Sequence, residues 1–144
     1  MKLIDYLKHN EGLRLKAYQD TVGVWTVGFG QTGPKIVDGV TVTVEEAEAM
    51  LDRAANLARD AAMRVVKLEQ RERLNDVRRL VLSDMAYQMG EAGLSAFART
   101  LTAIRAGDYE QAAVYMKRSL WAKQTPARAK RNADMMFTGE FWKP

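Results

Sequence analysis

Hydrophobic residues recur at helical spacing along most of the chain, and the first stretch of this pattern is short. In residues 2–11, the apolar side chains of Leu3, Ile4 and Leu7 share one face, so we expect a short helix there. Gly12 follows at the position where a glycine commonly ends a helix. The acidic residue before this glycine is therefore expected at the C-terminal end of the helix.

The pattern changes after this helix to the alternation typical of strands. Residues 13–30 alternate apolar and polar side chains on both sides of a turn-like segment at 20–23, which predicts a hairpin with Thr26 on its return strand. A second hairpin is predicted over residues 35–42, with a tight turn at Asp38-Gly39. The sequence thus predicts a small sheet of about three short strands.

Helical spacing returns at residue 43 and continues to the end of the chain. Thr43 and Glu46 form a capping box that predicts the start of a long helix over about 44–64. Its predicted buried stripe contains Ala47, Met50, Leu51, Ala54, Leu57, Ala58 and Ala61. Shorter helices are predicted at about 74–90, 94–106, 108–116 and 125–136, with Asp108 and Thr125 as N-caps.

These elements predict a single, mostly helical α+β domain. We expect a small β lobe over about 12–43 and a larger helical lobe formed by 1–11 and 65–144. The helix over about 44–64 would span about 30 Å, which is long enough to join the two lobes.

Composition excludes several classes of function. The chain has no cysteine and one histidine, so we expect no disulfide, no thiol nucleophile, no metal site and no cofactor. A net charge of +4 favours a polyanionic partner, but no basic run or tail indicates a nucleic-acid binder. Because no apolar stretch has the length of a signal peptide or a membrane span, we expect no stable membrane association.

Three residues near the N-terminus have the chemistry of glycoside hydrolysis, which uses one protonated carboxyl and one carboxylate. Glu11 lies at a helix C-terminus, where the helix dipole disfavours negative charge and so favours the protonated form. Asp20 lies in a polar turn and is expected to be ionised, and the Thr26 hydroxyl can hold a water for it. Caps and turns also favour these residue types for structural reasons alone. The pattern by itself therefore leaves both interpretations open.

A resemblance to a known family favours the catalytic interpretation. The segments Asn10–Thr21 and Thr26–Gly30 are similar to the opening of the phage-type lysozymes, glycoside hydrolase family 24, which include the muramidases of T-even and lambdoid phages. Two later segments, Met85–Gly90 and Ser119–Arg131, are similar to the family in the same order. The resemblance covers essentially the whole chain and implies a lysozyme-like fold, with a cleft between the two lobes.

The resemblance also implies roles for individual residues. Glu11 would be the general acid, Asp20 the base or charge stabiliser, and Thr26 the residue that holds the water. Arg128 would pair with Glu11 and orient it. The residues expected to contact the sugar are Gly30, Gln31, Tyr87, Gln88 and Trp121. Gln31 is a departure, because many relatives carry histidine there.

The implied activity is an inverting muramidase that cleaves peptidoglycan between N-acetylmuramic acid and N-acetylglucosamine. We expect a monomer that waits in the host cytoplasm until a holin releases it to the cell wall in the periplasm. Two alternatives stay open. A lytic transglycosylase needs an acid but no water-activating base, and an inactive lysozyme-fold protein would serve as a phage structural part or wall-binding module.

Overall fold

The computed structural model describes residues 1–67, 69 and 73–144. These residues are mostly helical and contain a small two-stranded antiparallel sheet, which confirms the predicted α+β class. The chain divides into two compact units, an N-terminal unit over Met1–Leu57 and a C-terminal unit over Ala58–Pro144. The predicted lobe boundaries, and the cleft between the lobes, stay predictions.

The first helix, α1, spans Leu3–Glu11 and confirms the predicted element. Leu3, Tyr6 and Leu7 are buried, so one face of the helix belongs to the core of the N-terminal unit. Gly12 ends α1 with a positive φ of 67°, and its N–H donates to the Lys8 carbonyl at 3.1 Å. Glu11 is therefore the last residue of the helix, as expected.

The predicted first hairpin is also present. Strands β1 (Arg14–Gln19) and β2 (Trp25–Gly28) pair antiparallel, with Tyr18 opposite Thr26. Burial does not follow the expected alternation, because Thr26 and the two residues after it are all buried, so both faces of β2 are covered. Leu15, one of the apolar positions in the alternation of β1, is 43% exposed.

The second predicted hairpin is wrong in its pairing. A hydrogen bond of 3.2 Å from Val40 N–H to the Val37 carbonyl confirms the turn at Asp38–Gly39, but residues 35–37 form no strand. Residues 40–42 pair with β1 instead.

The pairing of this segment with β1 depends on two backbone hydrogen bonds. Ala17 N–H donates to the Val40 carbonyl at 2.8 Å, and Val42 N–H donates to the Leu15 carbonyl at 2.8 Å. Outward-facing backbone groups of β1 need partners, and this segment supplies them along the edge that β2 leaves open.

The long helix α2 spans Val44–Val66 and begins at the predicted capping box. Glu46 N–H donates to Thr43 Oγ1 at 3.1 Å, and Thr43 N–H donates to Glu46 Oε1 at 3.2 Å. One residue of the predicted stripe is misplaced, because Leu57 is 69% exposed. At about 100° of rotation per residue, it lies well off the face that carries Leu51 and Ala58.

The C-terminal unit contains five named helices over its described residues. They are α3 (Asp76–Ser95), α4 (Ala98–Arg105), α5 (Tyr109–Arg118), α6 (Leu120–Gln124) and α7 (Pro126–Thr138). Helix α3 is interrupted near its predicted end, where Gly90 has a φ of 77°. The largest fully buried side chains of this unit include Val81, Leu82, Met85, Leu94, Met116, Met135 and Met136.

Two predicted N-caps of this unit differ in outcome. Asp108 caps α5 through its carboxylate, which accepts from Gln111 N–H at 3.0 Å. Thr125 precedes α7, with Pro126 at the first helical turn as predicted, but it makes no side-chain cap. Its hydroxyl donates instead to the Trp121 carbonyl at 3.1 Å, because the last turn of α6 leaves that acceptor within reach.

Candidate active site

Glu11 lies against the backbone of the segment that follows β2. A methyl group on Gly30 would be 2.6 Å from Oε2 of Glu11 and 3.2 Å from its Cδ. A side chain at this position would force the Glu11 carboxyl to move, so Gly30 suits the close approach as well as the positive φ of 79°. The N-terminal unit thus holds the predicted general acid directly beside one of the predicted sugar-contacting residues.

The segment around Gly30 is itself closed by two hydrogen bonds. Val27 N–H donates to the Gln31 carbonyl and Gln31 N–H donates to the Val27 carbonyl, each at 2.9 Å. Lys8 lies 5.7 Å from the centre of the Phe29 ring and forms a 3.0 Å ion pair with Glu48. The side chain one turn before Glu11 therefore connects α1 both to this segment and to α2.

Asp20 is fixed by main-chain donors. Its Oδ1 accepts from Val22 N–H at 2.9 Å and from Val24 N–H at 2.8 Å. Its own N–H donates to the Val24 carbonyl at 2.9 Å, which continues the strand pairing into the turn. The carboxylate is half-buried, and its direction is set by the fold of the hairpin tip.

Thr26 is hydrogen-bonded to Val24, as Asp20 is. Its side chain is buried, and Oγ1 donates to the Val24 carbonyl at 3.0 Å. The structure thus brings Asp20 and Thr26 together at the hairpin tip, one on the N–H and one on the carbonyl of Val24. This role of Val24 could not be predicted from the sequence, because main-chain hydrogen bonds do not depend on the identity of the side chain.

Two of the predicted sugar-contacting residues in the C-terminal unit touch each other. Trp121 Nε1 donates to Gln88 Oε1 at 2.8 Å, and the Trp121 ring packs edge-on against Phe97, with centroids 5.8 Å apart. Tyr87 is half-buried. The sugar-binding role that the resemblance implies for these residues stays a prediction.

A groove of about 700 Å³ opens beside Trp121. Its aromatic side chains are Phe97, Tyr115 and Trp121, and two arginines, Arg99 and Arg118, also line it. Of the predicted contact residues of this unit, Trp121 lines the groove, and Gln88 and Tyr87 are not among its described lining residues.

Arg128 has a partner that the sequence did not indicate. Its Nε donates to Asp84 Oδ2 at 3.0 Å and its Nη2 to Asp84 Oδ1 at 2.7 Å, which is a bidentate ion pair. Asn132 Nδ2 adds a third donor to Asp84 Oδ2 at 2.8 Å, and the Asp84 side chain is fully buried. The pairing of Arg128 with Glu11 stays a prediction.

A signal for Asp84 was present. An ionised carboxylate on a buried apolar helix needs a partner, and Arg128 and Asn132 stand four residues apart on one face of α7.

Among the described residues, no cluster of three or more His, Cys, Asp or Glu side chains is arranged to hold a metal ion. In the same part of the chain, no helix is long and apolar enough to cross a bilayer.

Comparison with known proteins identifies the family of the chain. A family model described as phage lysozyme matches residues 8–133. The chain is 34% identical to the pre-baseplate central spike protein Gp5 of Enterobacteria phage T4 over 96% of its length, but it spans only 28% of that protein.

Two further relatives are similar to the chain over more of their own length. A probable T4-type lysozyme of Dictyostelium discoideum is 29% identical, with 95% of this chain and 94% of that protein covered. The endolysin of Salmonella phage P22 is 32% identical over 66% of this chain and 63% of its own. The chain therefore belongs to the phage lysozyme family and is a glycoside hydrolase of the peptidoglycan-degrading class.

Proposed function

We propose that this chain hydrolyses the β-1,4 bond between N-acetylmuramic acid and N-acetylglucosamine in bacterial peptidoglycan, with inversion at the anomeric carbon. The observation that carries the proposal is the arrangement at the hairpin tip. One oxygen of Asp20 is held by two backbone N–H groups, and the Thr26 hydroxyl is bound to the same residue, Val24. A carboxylate beside a hydroxyl is the arrangement that holds and deprotonates a water.

The proposed reaction uses the two acids in separate roles. Glu11 gives its proton to the glycosidic oxygen while the bond from that oxygen to the anomeric carbon breaks. Water attacks the oxocarbenium-like carbon from the opposite face, and Asp20 takes the proton that the water loses. Thr26 fixes the water in line with the carbon. The product sugar carries a new reducing end, and the departing sugar carries the proton from Glu11.

Other residues of the proposed site bind or orient. Gly30 and Gln31 would contact the sugar from the segment beside Glu11, and Tyr87, Gln88 and Trp121 would contact it from the helical part of the chain. The aromatic side chains suit the apolar faces of pyranose rings. Arg128, fixed by its bidentate pair with Asp84, would orient Glu11.

The names of the relatives support a proposal for the biological setting. Endolysins and SAR-endolysins of several phages are similar to this chain. We propose that the chain acts as a monomer on the host cell wall from the periplasm. A holin would release it from the host cytoplasm, without stable membrane association. No cofactor, metal or nucleic acid takes part in the proposed reaction.

A second candidate is a role within a phage particle. It is favoured by the similarity to the central spike protein Gp5, which covers 96% of this chain. In this role the domain would be a structural or wall-binding part without hydrolytic activity. A lytic transglycosylase is a third possibility, although a held water at Asp20 and Thr26 has no use in that reaction.

The test compares wild type with Glu11→Gln on purified peptidoglycan and on permeabilised Gram-negative cells. Gln keeps the size of the side chain and removes the transferable proton, so we expect a folded variant with activity about 10²- to 10⁴-fold lower. Mass analysis of the fragments should show reducing ends from the wild type. Circular dichroism and pelleting with peptidoglycan would show that the variant still folds and binds.

Each alternative has its own result in this experiment. Ordinary clearing by Glu11→Gln would contradict the assignment of the acid. Anhydro-sugar fragments would identify a transglycosylase. A wild-type protein that binds peptidoglycan but releases no fragments would favour the structural role.

A further inference from the structure

Val24 holds both side chains that the proposed reaction places on the water. Its N–H donates to Asp20 Oδ1 at 2.8 Å, and its carbonyl accepts from Thr26 Oγ1 at 3.0 Å. The carbonyl also accepts the Asp20 N–H at 2.9 Å, so its position is fixed by the strand pairing. The Val24 side chain is 44% exposed and takes no part in these contacts.

These bonds determine which atoms are left for a water. A threonine hydroxyl has one proton, and that of Thr26 is donated to Val24, so towards a water only its lone pairs remain. In Asp20, Oδ1 accepts two N–H groups, while Oδ2 has no hydrogen-bond partner among the described residues. An ionised carboxylate only accepts hydrogen bonds. The side chains of Asp20 and Thr26 therefore offer a water two acceptors and no donor.

A water between two acceptors has a defined orientation. It would donate one proton to Asp20 Oδ2 and the other to Thr26 Oγ1, which leaves a lone pair of its oxygen directed away from both. That lone pair is the one that must attack the anomeric carbon. A Thr26 hydroxyl that donated to the water would instead occupy a lone pair and weaken the nucleophile.

We propose that Val24 is a positioning residue whose peptide groups hold Asp20 and make Thr26 a hydrogen-bond acceptor for the attacking water. This inference rests on the proposed hydrolysis. In the step, the water oxygen bonds to the anomeric carbon and its proton moves to Asp20 Oδ2. The bond to the leaving oxygen breaks, and that oxygen takes the proton of Glu11. The Thr26 proton stays on its hydroxyl, donated to Val24 throughout.

The first test removes one donor and keeps every side chain. Replacing Val24 by the corresponding α-hydroxy acid turns its N–H into an ester oxygen, which deletes the bond to Asp20 Oδ1. The matched control is the same replacement at Gly23, whose N–H donates only to the Asp20 carbonyl, at 3.0 Å. We expect kcat to fall about 10- to 100-fold for the Val24 ester with KM unchanged. The Gly23 ester should keep kcat within about twofold, because it costs stability but leaves the carboxylate oriented.

The second test examines the hydroxyl proton in the wild-type enzyme without substrate. If Thr26 donates to Val24, its hydroxyl proton should exchange slowly and show a scalar coupling to the Val24 carbonyl carbon by NMR. Activity should also depend on the presence of the Thr26 side-chain oxygen as an acceptor. Thr26→Val, which keeps the shape and lacks the oxygen, should lose most of kcat, and Thr26→Ser should recover most of that loss.

The outcomes separate this inference from the proposed function. A wild-type protein that releases no sugar fragments would contradict the proposed function, whatever the NMR result. Active wild type together with equal kcat for the two esters would overturn the role of Val24. A freely exchanging Thr26 hydroxyl without the coupling would overturn its role as acceptor, and this measurement needs no variant to fold.

Discussion

Asp20 and Asp84 are two carboxylates, one in each unit of the molecule, and they are held in opposite ways. Asp20 is half-buried, and among the described residues only its Oδ1 is bound, by the main-chain N–H groups of Val22 and Val24. Asp84 is fully buried, and both of its oxygens are bound by side chains, two bonds from Arg128 and one from Asn132.

The difference fits the separate roles that we propose for the two carboxylates, chemistry for Asp20 and structure for Asp84. Neutral backbone donors orient Asp20 and bind only its Oδ1 among the described residues, so Oδ2 is available for the proton that the proposed reaction takes from water. The guanidinium of Arg128 compensates the charge of Asp84, and no oxygen of Asp84 is open to substrate. A buried carboxylate of this kind lowers the stability of the fold when it is unpaired, and its role in the structure is to fix the position of Arg128.

The largest effect that this comparison predicts is the loss of activity in Asp20→Asn. An amide oxygen can still accept the two N–H groups, so the hairpin should keep its shape while the base is lost. We expect hydrolysis of peptidoglycan to fall by about 10²- to 10⁴-fold, with a melting temperature close to that of the wild type. The control is Asp38→Asn, which changes an exposed turn acid of the same unit. A near-normal rate for Asp20→Asn would point to another base.

The next largest effect should be on stability, at the other carboxylate. Asp84→Ala removes the bidentate ion pair from the Arg128 side chain, which is only 10% exposed. We expect the free energy of unfolding to fall by about 3–5 kcal/mol, measured by urea denaturation with comparison of the m-values.

A surface acid provides the control for this loss. The Asp134 side chain is 43% exposed and pairs with Lys117 and Lys130. Burial raises the pKa of Asp134, but the hydrogen bonds from the two lysines lower it by a larger amount, so the net shift of the pKa is downward. Because the pair is exposed, Asp134→Ala should cost less than about 1 kcal/mol. Similar losses for the two variants would show that the Asp84 cluster is no more important than a surface pair.

The sequence predicted best those elements that depend on neighbouring residues. The ends of α1 and α2 follow from Gly12 and from the Thr43–Glu46 box, whose partners are a few residues away. Glu11 and Asp20 were identified by residue type, location in a cap or turn, and family resemblance. Their local surroundings are set within short segments of the chain, and their catalytic roles stay predictions.

The features that the sequence did not predict depend on partners distant in the chain or on the main chain itself. Residues 40–42 pair with β1 and not with residues 35–37, and the local sequence pattern alone could not distinguish the two pairings. Asp84 and Arg128 are 44 residues apart, so no local pattern links them. The role of Val24 depends on its N–H and carbonyl, which almost any other residue would also provide.

The smallest effect follows from the close approach of backbone to carboxylate in the N-terminal unit. Gly30→Ala would place a methyl group 2.6 Å from Glu11 Oε2, so the carboxyl must move. A displacement of about 1 Å at a reacting group can cost about 10²-fold in rate, and we expect a loss of kcat near that size. The backbone conformation adds a stability cost of about 1–2 kcal/mol, because φ is positive at this position.

Gly39→Ala separates these two costs. Gly39 has a φ of 86°, close to the 79° of Gly30, but a methyl group there would meet nothing within 4 Å. Both variants should therefore lose similar stability in thermal denaturation, and only Gly30→Ala should lose activity measured well below its melting temperature. Equal retention of kcat would mean that Glu11 can move away from Gly30 without leaving its working position. The proposed general acid would then be held less tightly by the backbone than Asp20 is.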